Sequence, residues 1–232
     1  MSGLFITGTD TEIGKTFVSS LLIQLLVEEG LQVIGMKPIA SGAKIIDGDL
    51  KNEDALSLIE ASNVTEDYKI INPYVFEPAV SPHIAAEEAG VEIDLKKIKS
   101  NFDRLQKKSD VVVVEGVGGW YAPLSSHCTI ADLVEELQLP IILVVGLRLG
   151  CLNHALLTAQ AIRQSGLPIA GWIANHVEKD FLSAEKNITT LKHFLNDLPF
   201  LGAVSYQATL KNKTPQHHLN KQKLINSLSI KK

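Results

Sequence analysis

Short apolar runs alternate with longer stretches of mixed apolar and polar residues along most of this chain. Residues 4–6, 33–36, 111–114, 141–145, 169–174 and, more weakly, 200–204 carry almost no polar alternation. Each therefore reads as a strand buried on both faces. Between them, residues 15–29, 54–61, 94–105, 130–137, 152–164 and 182–195 show helical spacing. The first reads as an amphipathic helix that Gly30 closes as a C-cap. Residues 41–52 are polar and glycine-bearing and read as a loop. This alternation predicts an α/β fold, a doubly wound, mostly parallel sheet with helices on both faces, because right-handed crossovers return each helix over the sheet.

A chain of 232 residues has room for one large domain or two small ones. The unbroken alternation favours one domain over residues 1–232, with residues 211–232 a polar tail holding a short helix. A net charge of −4 argues against broad binding to nucleic acid or to an anionic membrane. The two cysteines, Cys128 and Cys151, have no metal-like spacing and read as reduced thiols. The N-terminus reads as a first strand rather than a signal peptide, and no apolar run is long enough to span a bilayer. A soluble, cytoplasmic protein is expected.

The first candidate chemistry lies between the first strand and the first helix. Gly8-Thr9-Asp10-Thr11-Glu12-Ile13-Gly14-Lys15-Thr16 is a relaxed P-loop, with Thr9 where the first glycine of the usual spacing stands. Backbone N–H groups of such a loop surround phosphate oxygens, assisted by the dipole of the following helix. Lys15 adds positive charge near the β- and γ-phosphates, and the Thr16 hydroxyl is a Mg²⁺ ligand. Magnesium needs further oxygen ligands. Glu115 follows the third strand at its carboxyl end, where ligands of open α/β sheets bind. Asp54 begins a helix, where N-capping competes with metal binding as its role.

P-loops serve motors, switches, kinases and ligases, so the loop alone does not name a reaction. Lys37-Pro38-Ile39-Ala40-Ser41-Gly42 narrows the choice. Lys37 at a strand's carboxyl end faces the same side as the P-loop, where it can neutralise a developing anion. Its bland alternative is a lysine lying along the sheet with its head in water. Ser41 is placed to hydrogen-bond a substrate anion.

These segments, together with Ser81-Pro82-His83, Glu115-Gly116-Val117-Gly118-Gly119-Trp120, Leu149-Gly150-Cys151-Leu152-Asn153-His154-Ala155 and Gly171-Trp172-Ile173-Ala174-Asn175, resemble the dethiobiotin synthetase family. The resemblance runs from about Leu4 to about Tyr206 in one order. It implies a P-loop NTPase-type ligase of biotin biosynthesis. Diaminopelargonate and CO₂ form a carbamate, ATP phosphorylates it to a mixed anhydride, and the second amine closes the ureido ring with loss of phosphate.

The resemblance also implies roles. Lys15, Lys37 and Thr11 are catalytic. Glu12, Ile13, Gly14, Lys15, Thr16 and Phe17 wrap the nucleotide, with Asp54, Glu115, Gly118, Asn175, Ser205 and Tyr206 around it. Thr16, Asp54 and Glu115 hold Mg²⁺. Thr11, Lys37, Ser41 and Gly118 contact the substrate. Gly150, Cys151, Leu152 and Asn153, supplied by the partner of a homodimer, hold its tail carboxylate, a role suited to the free N–H groups of a helix N-terminus. The chain departs from the family at Ser205-Tyr206, where a Pro-Trp pair is usual, which leaves ATP, GTP and CTP open. Two other readings stand beside this one, an amide ligase of the same class and a nucleotide switch acting on a protein partner. Neither accounts for residues 37–42.

Overall fold

The computed structural model describes residues 3–206 and 218–227. In chain order the elements are β1 (Gly3–Gly8), α1 (Lys15–Glu28), β2 (Val33–Met36), β3 (Ile39–Ala40), β4 (Lys44–Ile46), β5 (Asp49–Lys51), α2 (Glu53–Ala61), α3 (Tyr68–Ile71), β6 (Tyr74–Val75) and α4 (Pro82–Glu88). They continue with α5 (Leu95–Gln106), β7 (Val111–Glu115), α6 (Ile130–Leu137), β8 (Ile141–Leu147), α7 (Cys151–Gln164), β9 (Ile169–His176), α8 (Ala184–Phe194), β10 (Phe200–Val204) and α9 (Lys221–Ser227).

Six strands form one sheet in the order β10-β9-β8-β1-β7-β2, and every pairing is parallel. Their apolar runs follow from this arrangement, since side chains alternate between two covered faces. On one face Leu4, Ile6, Val111, Val113, Ile142 and Val144 meet α1 and Leu224 of α9. On the other, Phe5, Val112, Val114, Leu143 and Trp172 meet α5, α6, α7 and α8. Helices thus cover both faces, as the sequence pattern predicts.

Three local features differ from that pattern. Helix α1 is not amphipathic: residues Val18, Ser19, Ser20, Leu21, Leu22 and Ile23 are buried in succession, because α1 lies between the sheet and α2. Within the expected loop at 41–52, β4 and β5 form an antiparallel hairpin. Its turn residues Asp47 and Gly48 both have positive φ, 53° and 85°, the geometry of a type I′ turn. In the tail, α9 buries Leu224, while residues 207–217 and 228–232 lie outside the described residues. Gly30 does follow the end of α1, its N–H bonding Val27 O at 2.9 Å while Leu31 N reaches Leu26 O.

The parallel order has one consequence for chemistry. The carboxyl ends of β1, β2, β7, β8 and β9 all open on one edge, where Lys15 at the start of α1, Glu115 and Asn175 at strand ends, and Lys37 and Arg148 just beyond their strands are gathered.

Candidate functional site

The loop between β1 and α1 owes its shape to a few local bonds. Thr9 N donates to Val144 O at 3.1 Å, anchoring the loop on β8. Asp10 Oδ1 accepts from Thr11 N at 2.8 Å, its other carboxylate oxygen pairs with Arg148, and its carbonyl accepts from Lys15 Nζ at 2.7 Å. Gly14 holds φ at +78°, and a Cβ there would lie 2.2 Å from Asn175 Nδ2. Only glycine fits between the loop and the end of β9. Asn175 is buried and donates to Ile13 O at 2.8 Å, so β9 braces the loop from the far side.

The lysine after β2 is no surface lysine. Lys37 is 3% exposed, and its Nζ lies 2.5 Å from Glu115 Oε1, 3.2 Å from Asp54 Oδ2 and 3.1 Å from Gly116 O. Thr16 Oγ1 donates to the same Glu115 oxygen at 2.8 Å. Burial pulls the Lys37 ammonium down, but Glu115 and Asp54 outweigh it and leave its pKa raised. Burial likewise pushes the Asp54 carboxyl up, and Lys37 and Thr16 more than reverse it. Lys15, also buried, is pulled down to about 8 by burial first and then by the like charge of Lys37.

Asp54 does not cap α2. Asn52 does, accepting from Asp54 N at 3.0 Å and Ala55 N at 3.3 Å, which leaves the Asp54 carboxylate free to reach Lys37. Asn52 belongs to a buried network that sequence reasoning missed. Its amide donates to Ser41 O at 3.1 Å, and its N–H donates to the Tyr68 hydroxyl at 2.8 Å. Tyr68 donates to Asn72 Oδ1 at 2.8 Å, and Asn72 Nδ2 donates to Lys37 O at 2.6 Å. Both ends of the 37–41 segment are held this way. The sequence signal was weak, a tyrosine and an asparagine at i, i+4 spacing in an otherwise plain stretch.

Two recesses flank this centre. One, of about 830 Å³, is lined by Thr11, Glu12, Ser41, Ser81 and Gly118 among others. Gly118 has φ of +63°, and a Cβ there would lie 2.9 Å from Ala122 Cβ and 3.8 Å from Thr11 Oγ1. The other, of about 170 Å³, is lined by Glu12, Gly14, Phe17, Asn175, Ser205 and Tyr206. His176 and Val177 also line it and were not singled out from the sequence. Gly150, Cys151, Leu152 and Asn153 line neither recess. They open α7, with Gly150 at φ +91° and Cys151 N bonded to Arg148 O at 3.0 Å. Leu149 beside them is 93% exposed.

The fit of a magnesium ion rests on the oxygens present. Thr16, Asp54 and Glu115 supply one hydroxyl and two carboxylates, the hard donors that magnesium takes beside phosphate oxygens. Glu115 is fully buried, and its Oε2 has no hydrogen-bond partner. A buried carboxylate oxygen without a partner is costly unless a cation completes it. The donor set fits.

The sequence profile of a family described as an AAA domain matches residues 2–214. The ATP-dependent dethiobiotin synthetase BioD of Aromatoleum aromaticum is 49% identical over 204 residues, covering 88% of this chain and 90% of that protein. ATP-dependent dethiobiotin synthetase BioD 1 of Salmonella typhi is 44% identical over 209 residues, covering 88% and 92%. Among solved structures, the MinC:MinD cell division protein complex of Aquifex aeolicus has a TM-score of 0.56 at 15% identity, covering 90% of this chain and 84% of that one. The septum site-determining protein MinD of Pyrococcus horikoshii, complexed with Mg-ADP, has a TM-score of 0.52 at 17% identity, covering 88% and 82%. These two likenesses concern the fold, a parallel sheet of the P-loop type.

Proposed function

The chain belongs to the ATP-dependent dethiobiotin synthetase family, and from that premise we propose how its residues close the ureido ring of dethiobiotin. It is an ATP-dependent ligase acting on diaminopelargonate and CO₂. The observation that carries the residue-level reading is Lys37, a buried ammonium fixed beside the P-loop lysine at the edge where the strands end.

One amine of the substrate adds to CO₂ and loses a proton, giving a carbamate. A carbamate oxygen attacks the γ-phosphorus of ATP, and ADP leaves. The second amine then attacks the carbamoyl carbon, and phosphate leaves as the ring closes. Both amines sit on one substrate, so this last step is intramolecular and gains the advantage of held reactants. Lys15 and Lys37 offset the negative charge that the carbamate and the transferring phosphoryl group bring together.

Thr11, Ser41 and Gly118 line the larger recess and are its substrate contacts. Glu12 through Phe17 wrap the phosphates, and Asn175, Ser205 and Tyr206 form the recess for the base. Thr16, Asp54 and Glu115 would hold Mg²⁺, which would neutralise phosphate charge. The substrate's tail carboxylate goes to Gly150, Cys151, Leu152 and Asn153 of a second copy, and the protein acts as a homodimer. The exposed Leu149, just before that helix start, and Leu157, midway along the helix, support a surface covered by the partner. Free thiols at Cys128 and Cys151 support a cytoplasmic location. No helix among the described residues is long and apolar enough to cross a membrane.

The test measures phosphate release with Mg-ATP and bicarbonate, with and without diaminopelargonate, alongside mass detection of dethiobiotin. Release that depends on the diamine and equals the dethiobiotin formed is expected. Release indifferent to the diamine, with no ring product, would overturn the reading.

A further inference from the structure

The two buried lysines and the two carboxylates of this site balance one another. Lys15 and Lys37 carry positive charge, and Asp54 and Glu115 carry negative charge. Lys37 stands between the carboxylates, and its three ammonium protons have three acceptors in Glu115 Oε1, Asp54 Oδ2 and Gly116 O. Thr16 spends its own hydroxyl proton on Glu115 Oε1. One oxygen of each carboxylate assigned above to magnesium is therefore already engaged, by a lysine of the same chain. The second oxygen of Glu115, Oε2, is buried and left without a partner.

We propose that Lys37 is the resident counter-cation of the metal ligands, excluding a divalent ion from the nucleotide-free protein and leaving for the substrate only when the metal arrives with phosphates. The inference rests on the assignment of Thr16, Asp54 and Glu115 as the ligands. A bare divalent ion entering beside Lys15 and Lys37 would leave a buried site with excess positive charge, and uncompensated buried charge is expensive. A nucleoside triphosphate reverses that balance, because its oxygens partner both the metal and the released ammonium. Glu115 Oε2, buried and bonding nothing, is an acceptor that the arriving metal would complete.

Lys37 can move without disturbing the fold. Its main chain is pinned, Lys37 N donating to Ile71 O at 3.0 Å and Lys37 O accepting from Asn72 at 2.6 Å. Only the flexible four-carbon stem must swing. The ammonium that stabilises the substrate anion is thus supplied only once the phosphoryl donor is in place. A carbamate arriving first meets a lysine already committed.

The probe is Mn²⁺, whose binding to the whole protein is read by electron paramagnetic resonance with and without a non-hydrolysable ATP analogue. Nucleotide-free wild type should bind Mn²⁺ weakly, and Lys37→Met should bind it at least about tenfold more tightly, since one repelling buried charge is gone. Lys37→Arg, which keeps the charge, should behave as wild type. Should Lys37→Met fail to fold, the Lys37 side-chain ammonium signal in the wild type decides by nuclear magnetic resonance. It should be protected from exchange in the free protein and with Mg²⁺ alone, and lose protection when Mg²⁺ and the analogue are added together. Equal Mn²⁺ affinity in wild type and Lys37→Met, or an ammonium signal indifferent to the Mg-analogue complex, overturns the exchange. If Asp54→Asn binds Mn²⁺ with the analogue as tightly as wild type, the ligand assignment itself falls and takes the exchange with it.

Discussion

Lys37 Nζ and Glu115 Oε1 meet at 2.5 Å, although 78 residues of chain separate them and neither side chain is more than 3% exposed. Removing either partner leaves the other charge buried, a loss of about 3 kcal/mol or more for pairs of this kind. Lys37→Ala should lower turnover by about a thousandfold, as loss of a preorganised charge does. ATP binding should stay within about threefold of wild type, because the loop contacts remain. Single-turnover kinetics and equilibrium nucleotide binding check the two halves separately. A variant with normal turnover would remove Lys37 from the mechanism.

Lys15 should make stability and nucleotide affinity respond to pH in opposite directions. Its folded pKa of about 8 lies below the ordinary 10.5. Between those values the unfolded chain holds a proton that the folded chain has lost, so stability rises with pH across that window. Below about 8 both states hold it and the contribution is flat. Phosphate needs the charged form, so ATP affinity should fall up to tenfold per pH unit above about 8. Calorimetry near pH 8 in buffers of different ionisation enthalpy should detect proton uptake on nucleotide binding. Lys15→Arg should abolish both trends.

Asn175 and Gly14 should fail in different ways. Asn175→Ala removes the bond to Ile13 O and should raise the KM for ATP about tenfold with kcat nearly kept, about the worth of one buried hydrogen bond. Gly14→Ala puts a Cβ against Asn175 at a backbone angle that alanine avoids, and should abolish measurable nucleotide binding. Nucleotide titration followed by tyrosine or tryptophan fluorescence checks both.

The Asn52–Tyr68–Asn72 network should matter for both stability and rate. Asn72→Ala leaves Lys37 O without its donor and the Tyr68 hydroxyl proton without its acceptor, costing about 1–3 kcal/mol in chemical denaturation. Tyr68→Phe should cost about 1 kcal/mol and lower kcat less than Asn72→Ala.

Leu149→Asp and Leu157→Asp should weaken self-association, since both side chains lie largely exposed, one just before α7 and one midway along it. Light scattering at falling concentration should show the monomer at least about tenfold earlier than for wild type, because charge replaces apolar contact area. A variant that stays dimeric would place the interface elsewhere.

Much of this was legible in the chain before folding. The six strand runs announced themselves because parallel strands buried on both faces leave no polar alternation, and the P-loop declared its own strand–loop–helix context. What stayed hidden depended on contacts between distant residues. Helix α1 was misjudged because its second covering layer comes from α2 and lies outside its own sequence. Asp54 looked like a cap because nothing local tells a capping carboxylate from one drawn toward a lysine on the far side of three intervening strands. The hairpin at Asp47-Gly48 did carry a local signal, an Asp-Gly dipeptide directly after Ile45-Ile46. Asn52, Tyr68 and Asn72 carried none strong enough to separate them from ordinary loop polar residues.

The central position of β1 governs how the chain reaches this state. Its first residues pair with β7 across more than a hundred positions, as in Gly3 against Val112, and its last with β8, as in Gly8 against Val144. An emerging polypeptide therefore carries its buried first strand unpaired until about half the molecule has left the ribosome. The nucleotide gives no help in that interval, since Thr16 waits 99 residues for Glu115 and Ile13 waits 162 for Asn175. Distant pairing of this kind makes assembly slow and leaves sticky edges open meanwhile. Ligand rescue of a destabilised variant must then act on the finished fold alone, drawing the equilibrium toward it without speeding its formation.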